Sequence, residues 1–361
     1  MPMLAVMLDV GRDEIKLREQ RGGEEGQTLI VVLFAMPLLI AIIALVADGA
    51  NLFTNKRSVQ NAADAAVFAV AQDLPKDGSV CTGACLTTLQ SDADAYSRTK
   101  NNGPAVDHAC ADSADTNCYV TPIPGKGNSS AQIRLRKTVS TFIAGFFGLS
   151  TSSVSAKAAV SLAGAPNAVG NVAPIGVDQQ FVCRDPDTSV PPCFGQTKVL
   201  NFQAPPGYSL LDLDQVSTTA PISGNTAGTT AMQNWVTQGY PGVLPANAWY
   251  GAEANPGGHN GVRSAFAASA ASGAALLVPV FGTAPPPATS PDPTTGSYYV
   301  IGFAAFVINP GTVTPQSWQG NTSTGTHTLT GHFTRFIAEG VSGGPIGGPN
   351  DFGVHVISLD E

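Results

Sequence analysis

Residues 24–66 read EEGQTLIVVLFAMPLLIAIIALVADGANLFTNKRSVQNAADAA. Within this stretch, Leu29–Ala47 are nineteen consecutive residues without a charge. As a helix they measure about 28 Å, close to the ~30 Å hydrocarbon core of a bilayer. Pro37 sits inside the run; a proline breaks a soluble helix but is tolerated as a kink in a membrane one. The run is too long for the h-region of a cleavable signal, about 7–15 residues. It also follows 28 residues of largely polar tail, and Asp48 occupies a position where a cleavage site needs a small side chain. The segment therefore reads as a retained single-pass anchor.

Orientation follows from the flanking cations. Arg12, Lys16, Arg18 and Arg21 precede the run, and only Lys56 and Arg57 follow closely. This bias places the N-terminus in the cytoplasm and the bulk of the chain outside the cell membrane. Residues 1–28 are then a solvated, mixed-charge cytoplasmic tail, and 29–47 the transmembrane helix. Asp48 reads as an interfacial residue at the outer end.

Beyond the apolar run the helical pattern continues over 48–72. Leu52, Val59, Ala63, Ala66 and Val70 step by seven, four, three and four, an a/d-type seam. Ala62, Ala65 and Ala69 add a small-residue face where another helix can approach closely, and DLPKDG then ends the helix. The simplest use of this face is packing on the chain's own domain. Asp64, the one charge among the alanines, reads as a solvated residue on the polar side.

The apolar run followed by RSVQNAADAAVFAVA resembles the N-terminal segment of the TadE/TadG-like proteins, membrane-anchored components of the tight-adherence (Flp, type IVb-like) pilus machinery. Its most specific part is Gln60, Asn61, Ala62, Ala63, Asp64, Ala65 and Ala66, placed shortly after a single span. The resemblance implies a pseudopilin-like subunit or an assembly factor acting through protein–protein contacts. Its implied partners are other pilus-assembly membrane proteins or pilin-like subunits, with self-association possible through the N-terminal helix. Gly26-Gln27 and the residues after them resemble a prepilin processing site. Val31 stands where a pilin has Glu, which favours an assembly factor over a shaft subunit.

Composition agrees with an extracytoplasmic domain. Only 12% of residues are charged, about half the usual share. Residues 58–361 carry twelve Lys/Arg against nineteen Asp/Glu with no basic stripe, so nucleic acid is not an expected partner. The six cysteines, Cys81, Cys85, Cys110, Cys118, Cys183 and Cys193, all follow the apolar run, and point to disulfides in an oxidising compartment. Cys183 and Cys193 close one loop; the other four admit three pairings. None stands at C-x-x-C spacing with a histidine pair, so zinc is disfavoured.

The expected fold class is α+β: a long N-terminal transmembrane and amphipathic helix packed on a small α/β unit (73–166), then a β-rich extracytoplasmic domain (172–361). GAPNAVGNVAP reads as the linker between them. TKVLNFQ, YSLLDLD, AALLVPVF, SYYVIGFAAFVIN, TLTGHFTRFIAEG and GVHVISL read as strands. YYVIGFAAFVI is too short for a second span and reads as a buried central strand.

Chemistry is sparse. There is no G-x-S-x-G elbow, H-E-x-x-H or P-loop, and no cofactor is implied. Asp212 and Asp214 form a D-x-D pair without the serines of an adhesion metal site, and read as alternating carboxylates on a wet strand face. His259, His327 and His332 are scattered. Two rivals remain beside the assembly role: an anchored adhesin or binding module, and, less favoured, an envelope hydrolase using Asp212, Asp214 or His259. An intact mass of the envelope protein that retains the whole N-terminal tail would favour an assembly factor. A mass beginning at Gln27 would instead favour a pilin-like subunit.

Overall fold

The computed structural model describes residues 3–201, 208–225, 227–253, 260–285, 289–292, 294–313, 328–341 and 343–360. His259 and His327 lie outside them, as does part of the Pro-rich stretch 282–296. The first element is one helix, α1 (Met3–Asp73), which contains Pro37. Helix continues through the tail expected to be a solvated stub; GRDEIKLREQR is rich in Glu, Lys, Arg and Leu, all good helix formers. The side chains from Leu29 to Val46 are predominantly exposed and apolar, whereas Val59, Ala62, Ala63, Ala66, Val67, Val70 and Ala71 are fully buried. One helix thus changes from apolar all round to one buried face.

The chain divides into two compact units, residues 1–61 with 136–156, and residues 62–135 with 157–361. Described elements continue with α2 (Ala84–Asp94), β1 (His108–Ala109), β2 (Cys118–Val120), β3 (Ser130–Ser140) and β4 (Thr151–Ala163). Then come β5 (Ala168–Val169), β6 (Ile175–Asp178), β7 (Thr197–Asn201), β8 (Tyr208–Ser217), α3 (Thr229–Thr237), β9 (Leu244–Pro245) and β10 (Ala248–Ala252). The chain ends with α4 (Asn260–Ser272), β11 (Ala275–Phe281), β12 (Tyr298–Ile308), β13 (Thr328–Thr334), β14 (Phe336–Ala338), β15 (Gly340–Val341) and β16 (Val354–Asp360).

The strands make three sheets. The first has the order β1-β2-β3-β4-β16-β14, with β16 antiparallel to β4 and parallel to β14. The last strand of the chain therefore returns to the sheet begun by the early hairpin. The second runs β10-β8-β6-β11-β12-β13-β7. Its edge strand β10 also pairs with β12, Trp249 opposite Tyr299, so β10, β8, β6, β11 and β12 close a five-stranded ring. Closure removes free edges that would otherwise invite association. The third sheet, β15-β5-β9, incorporates Ala168 and Val169 from the segment expected to be a linker. Those residues pair with Leu244, Pro245, Gly340 and Val341, partners too distant in sequence to be anticipated.

The core lies on β12, whose residues Val300–Val307 are buried apart from the last. Phe306 stacks against Phe333 of β13 with ring centroids 4.9 Å apart, and Phe281 against Tyr298 at 4.5 Å. Helices α3 and α4 pack together, and α4 contacts β12. The YYVIGFAAFVI run is thus a central strand, and Leu29–Asp73 is the one helix among the described residues long and apolar enough to cross a membrane. Three disulfides join Cys81 to Cys85, Cys110 to Cys118 and Cys183 to Cys193. All three link near neighbours, so each staples a local loop. Phe306→Ala is expected to destabilise the protein by about 3–5 kcal/mol, read as a lower denaturant midpoint at unchanged slope.

Candidate functional site

Within the first unit, the C-terminal end of the apolar run meets the β3–β4 hairpin. Asp48, 7% exposed, accepts hydrogen bonds from the backbone N–H groups of Phe142 (2.7 Å), Ile143 (3.0 Å) and Ala144 (2.7 Å). These are the successive donors at the start of the short 3-10 turn Ala144–Phe147. The carboxylate is therefore a cap supplied from another element, taking the place of the local Ser or Asp that usually satisfies such orphan donors. Further along α1, Asn51 Nδ2 donates to the Ser140 carbonyl at 3.1 Å, and the Lys56 ammonium donates to the Ser155 carbonyl. About two turns of helix thus fasten to both arms of the hairpin. Asp48 is interfacial by position, but its partners lie 94–96 residues away and had no signal in the sequence.

The alanine-rich motif begins four residues after Lys56. Asn61 is exposed, Gln60, Asp64 and Ala65 are half-buried, and Ala62, Ala63 and Ala66 are fully buried. In the second unit, a Cβ added to Gly103 would lie 2.5 Å from the Ala62 Cβ. Gly103 follows Asn102, whose φ is +51°, and its N–H closes onto the Ser97 carbonyl at 2.8 Å. The turn ending the second helical stretch thus lies directly against the alanine face, and any larger side chain at either position would part them. The small residues serve packing inside the folded chain. Between Gln60 and Asp73 the exposed positions of this helix are Asn61, Phe68 and Gln72, which recur at seven and four residues and so share a face. Gly26 and Gln27 lie on the helical backbone of α1.

The D-x-D pair divides. Register between β8 and β10 jumps from Val216 opposite Tyr250 to Asp212 opposite Gly251, leaving Leu213, Asp214 and Gln215 in a bulge. The expectation that both carboxylates share a wet face fails for this reason: Asp214 is exposed and Asp212 is 2% exposed. Asp212 accepts the N–H groups of Asp214 (3.1 Å) and Asn225 (3.3 Å), and burial pushes its pKa up. It holds its own bulge and a neighbouring loop. His332 lies half-buried on β13, its Nδ1 3.4 Å from Asn309 Oδ1.

A cluster not foreseen from the sequence lies in the second unit. Asp185, Asp351 and His355 are all buried. Arg335 Nη2 and Nε donate to Asp185 at 2.6 and 2.9 Å, and the guanidinium lies over the Phe194 ring at 4.4 Å. Asp351 accepts the N–H groups of Gly347 (2.8 Å) and Gly353 (3.0 Å), with His355 Nε2 3.3 Å away. Potential ligand atoms of Asp185, Asp351 and His355 fall within 4.8 Å of one another. The guanidinium already supplies a cation to Asp185, so the carboxylates are satisfied as a buried ion network, while among the described residues the buried His355 Nδ1 has no hydrogen-bond partner. Burial raises the Asp185 pKa, with Arg335 opposing. The His108, Asp115 and Cys118 group includes a disulfide sulfur, which has no thiolate to offer a metal.

A cleft of about 550 Å³ is lined by residues including Trp235, Gln238, Ser269, Ser272, Phe336 and Glu339. Among the described residues, no histidine or cysteine lines it to make a nucleophile–base pair.

The outer end of α1 carries a charge at a disfavoured place. Asp73 closes the helix, where the macrodipole is negative; burial first, and then the adjacent Asp92, push its pKa up from 3.8 to about 6. Between those two values the folded state holds more protons than the unfolded one, so stability falls as pH rises through the window and stays lower above it. Asp73→Asn is expected to raise the melting temperature at neutral pH, with the gain vanishing below about pH 4.

No curated protein and no solved structure matches the chain. Residues 26–73, the apolar run and the helix that carries its buried alanine face, match the Flp pilus-assembly TadE/G-like family, and this match supports a general role in Flp pilus assembly and suggests a structural, non-enzymatic one.

Proposed function

We propose that this chain is a membrane-anchored structural or assembly component of a Flp-type pilus system, acting through protein–protein contacts. The observation that carries the reading is the family match over 26–73, coincident with a helix that is apolar and exposed at its start and buried on one face at its end. In this reading Leu29–Ala47 spans the cell membrane once, the N-terminal tail is cytoplasmic, and the remainder is extracytoplasmic. Three disulfides suit that compartment. The partners are pilin-like subunits or other pilus-assembly membrane proteins, met along the span and the exposed side of α1.

Scrambling Gln60–Ala66 would disturb three core alanines and so confuse folding with contact. Exchanging Leu29–Ala47 for an unrelated span of equal length, and separately substituting Phe68→Glu at its 42% exposed position, avoids that confusion. The expected outcome is reduced or absent Flp pili with protein abundance and disulfides unchanged. Normal piliation in a strain lacking the chain altogether would reject the assembly role. An adhesin would behave differently: removing 172–361 would leave pili assembled and abolish attachment.

A further inference from the structure

The hairpin tip Thr141–Ser150, TFIAGFFGLS, has no charge among its ten residues, and its described large apolar side chains are not packed away. Phe142 is 81% exposed and Leu149 67% exposed. Aromatic and aliphatic groups held in the open at one loop usually mark a surface that something covers.

The position of the tip indicates what covers it. Proceeding inward along α1, Lys56 bonds Ser155, Asn51 bonds Ser140, and Asp48 bonds the amides of Phe142, Ile143 and Ala144. The hairpin therefore runs beside the helix with its tip toward the apolar run, over a helical rise of about 12 Å. Asp48 directly follows Ala47, the last residue of that run. The tip is fixed at the level where the run ends.

The tip's backbone also suits a poorly hydrated layer. The N–H of Thr141 donates to Ser150, that of Leu149 to Ala144 and that of Gly148 to Gly145, while Asp48 takes those of Phe142, Ile143 and Ala144. Six of the tip's ten backbone donors are thus satisfied internally, which lowers the cost of entering a poorly hydrated layer. Among the cations next outward, Arg57 on α1 and Lys137 on the hairpin arm stand where long basic side chains can reach headgroup phosphates.

We propose that the hairpin tip is a second membrane contact, with Phe142 and Leu149 wedged into the headgroup layer beside the exit of the helix, so that the hairpin braces the anchor against tilting. The inference rests on the reading that Leu29–Ala47 spans the bilayer. The covering surface is lipid; a protein partner on the tip is the competing outcome.

The test uses full-length protein in vesicles of phosphatidylcholine and phosphatidylglycerol. All six native cysteines are paired, so Phe142→Cys, Leu149→Cys or Leu38→Cys each introduces a single free thiol for an environment-sensitive fluorophore. Nitroxide-labelled lipids then report depth. Probes at 142 and 149 are expected to be quenched by a nitroxide just below the headgroup, and the probe at 38 by one deep in the chains. Quenching at 38 with none at 142 or 149 would overturn the wedge and leave the span intact. Absence of quenching at all three positions would overturn the span itself, and the wedge with it.

Discussion

An apolar run of nineteen residues offers its own amides no charged side-chain partners, so it satisfies them along its own backbone as a helix. That constraint makes α1 a helix before any tertiary contact exists, and the rest of the arrangement starts from it. The helix does not stop where the apolar residues stop. Continuing to Asp73, it presents Ala62, Ala63 and Ala66 to the core and lets the Gly103 turn come within van der Waals contact. Small side chains, usually read as a signal for helix–helix association, here allow a loop backbone of the same chain to approach.

Two sets of carboxylates show the same logic at different depths. Asp48 is held by three backbone amides, with no cation involved. Asp185 and Asp351 are fully buried, and each is satisfied separately, one by a bidentate guanidinium and the other by two glycine amides. A buried charge is costly unless its bonds are complete, and completeness accounts for the position of these groups without invoking catalysis. Asp212 belongs with them, since its bonds are spent on the bulge that buries it.

Much of the fold was legible in local pattern. The long apolar helix, its end at DLPKDG, the buried character of YYVIGFAAFVI and the Cys183–Cys193 loop all depend on residues close in sequence, where periodicity and turn chemistry act directly. Other features depended on distance. Ala168 and Val169 have no strand pattern of their own and pair only because Leu244 and Gly340 are brought to them. The ring closed by β10 on β12, and the return of β16 to β4, likewise join segments separated by long stretches of chain. Helix α3 was overlooked because a nine-residue segment with three buried side chains offers too little periodicity to stand out.

The sequence by itself determined the apolar run, the family-like helix beyond it, the expectation of paired cysteines, and an α+β composition. Each follows from side-chain chemistry over a few turns or strands. Only the tertiary structure decided which residues are spent on the chain's own core and which stay available. It buried the motif alanines, broke the Asp212–Asp214 pair across a bulge, and assembled the Asp185–Arg335–Asp351–His355 network. It also laid an uncharged hairpin tip against the end of the apolar run through a single aspartate. Those outcomes depend on contacts between residues tens to hundreds of positions apart, and no local preference encodes which distant partner a buried carboxylate or alanine face will meet.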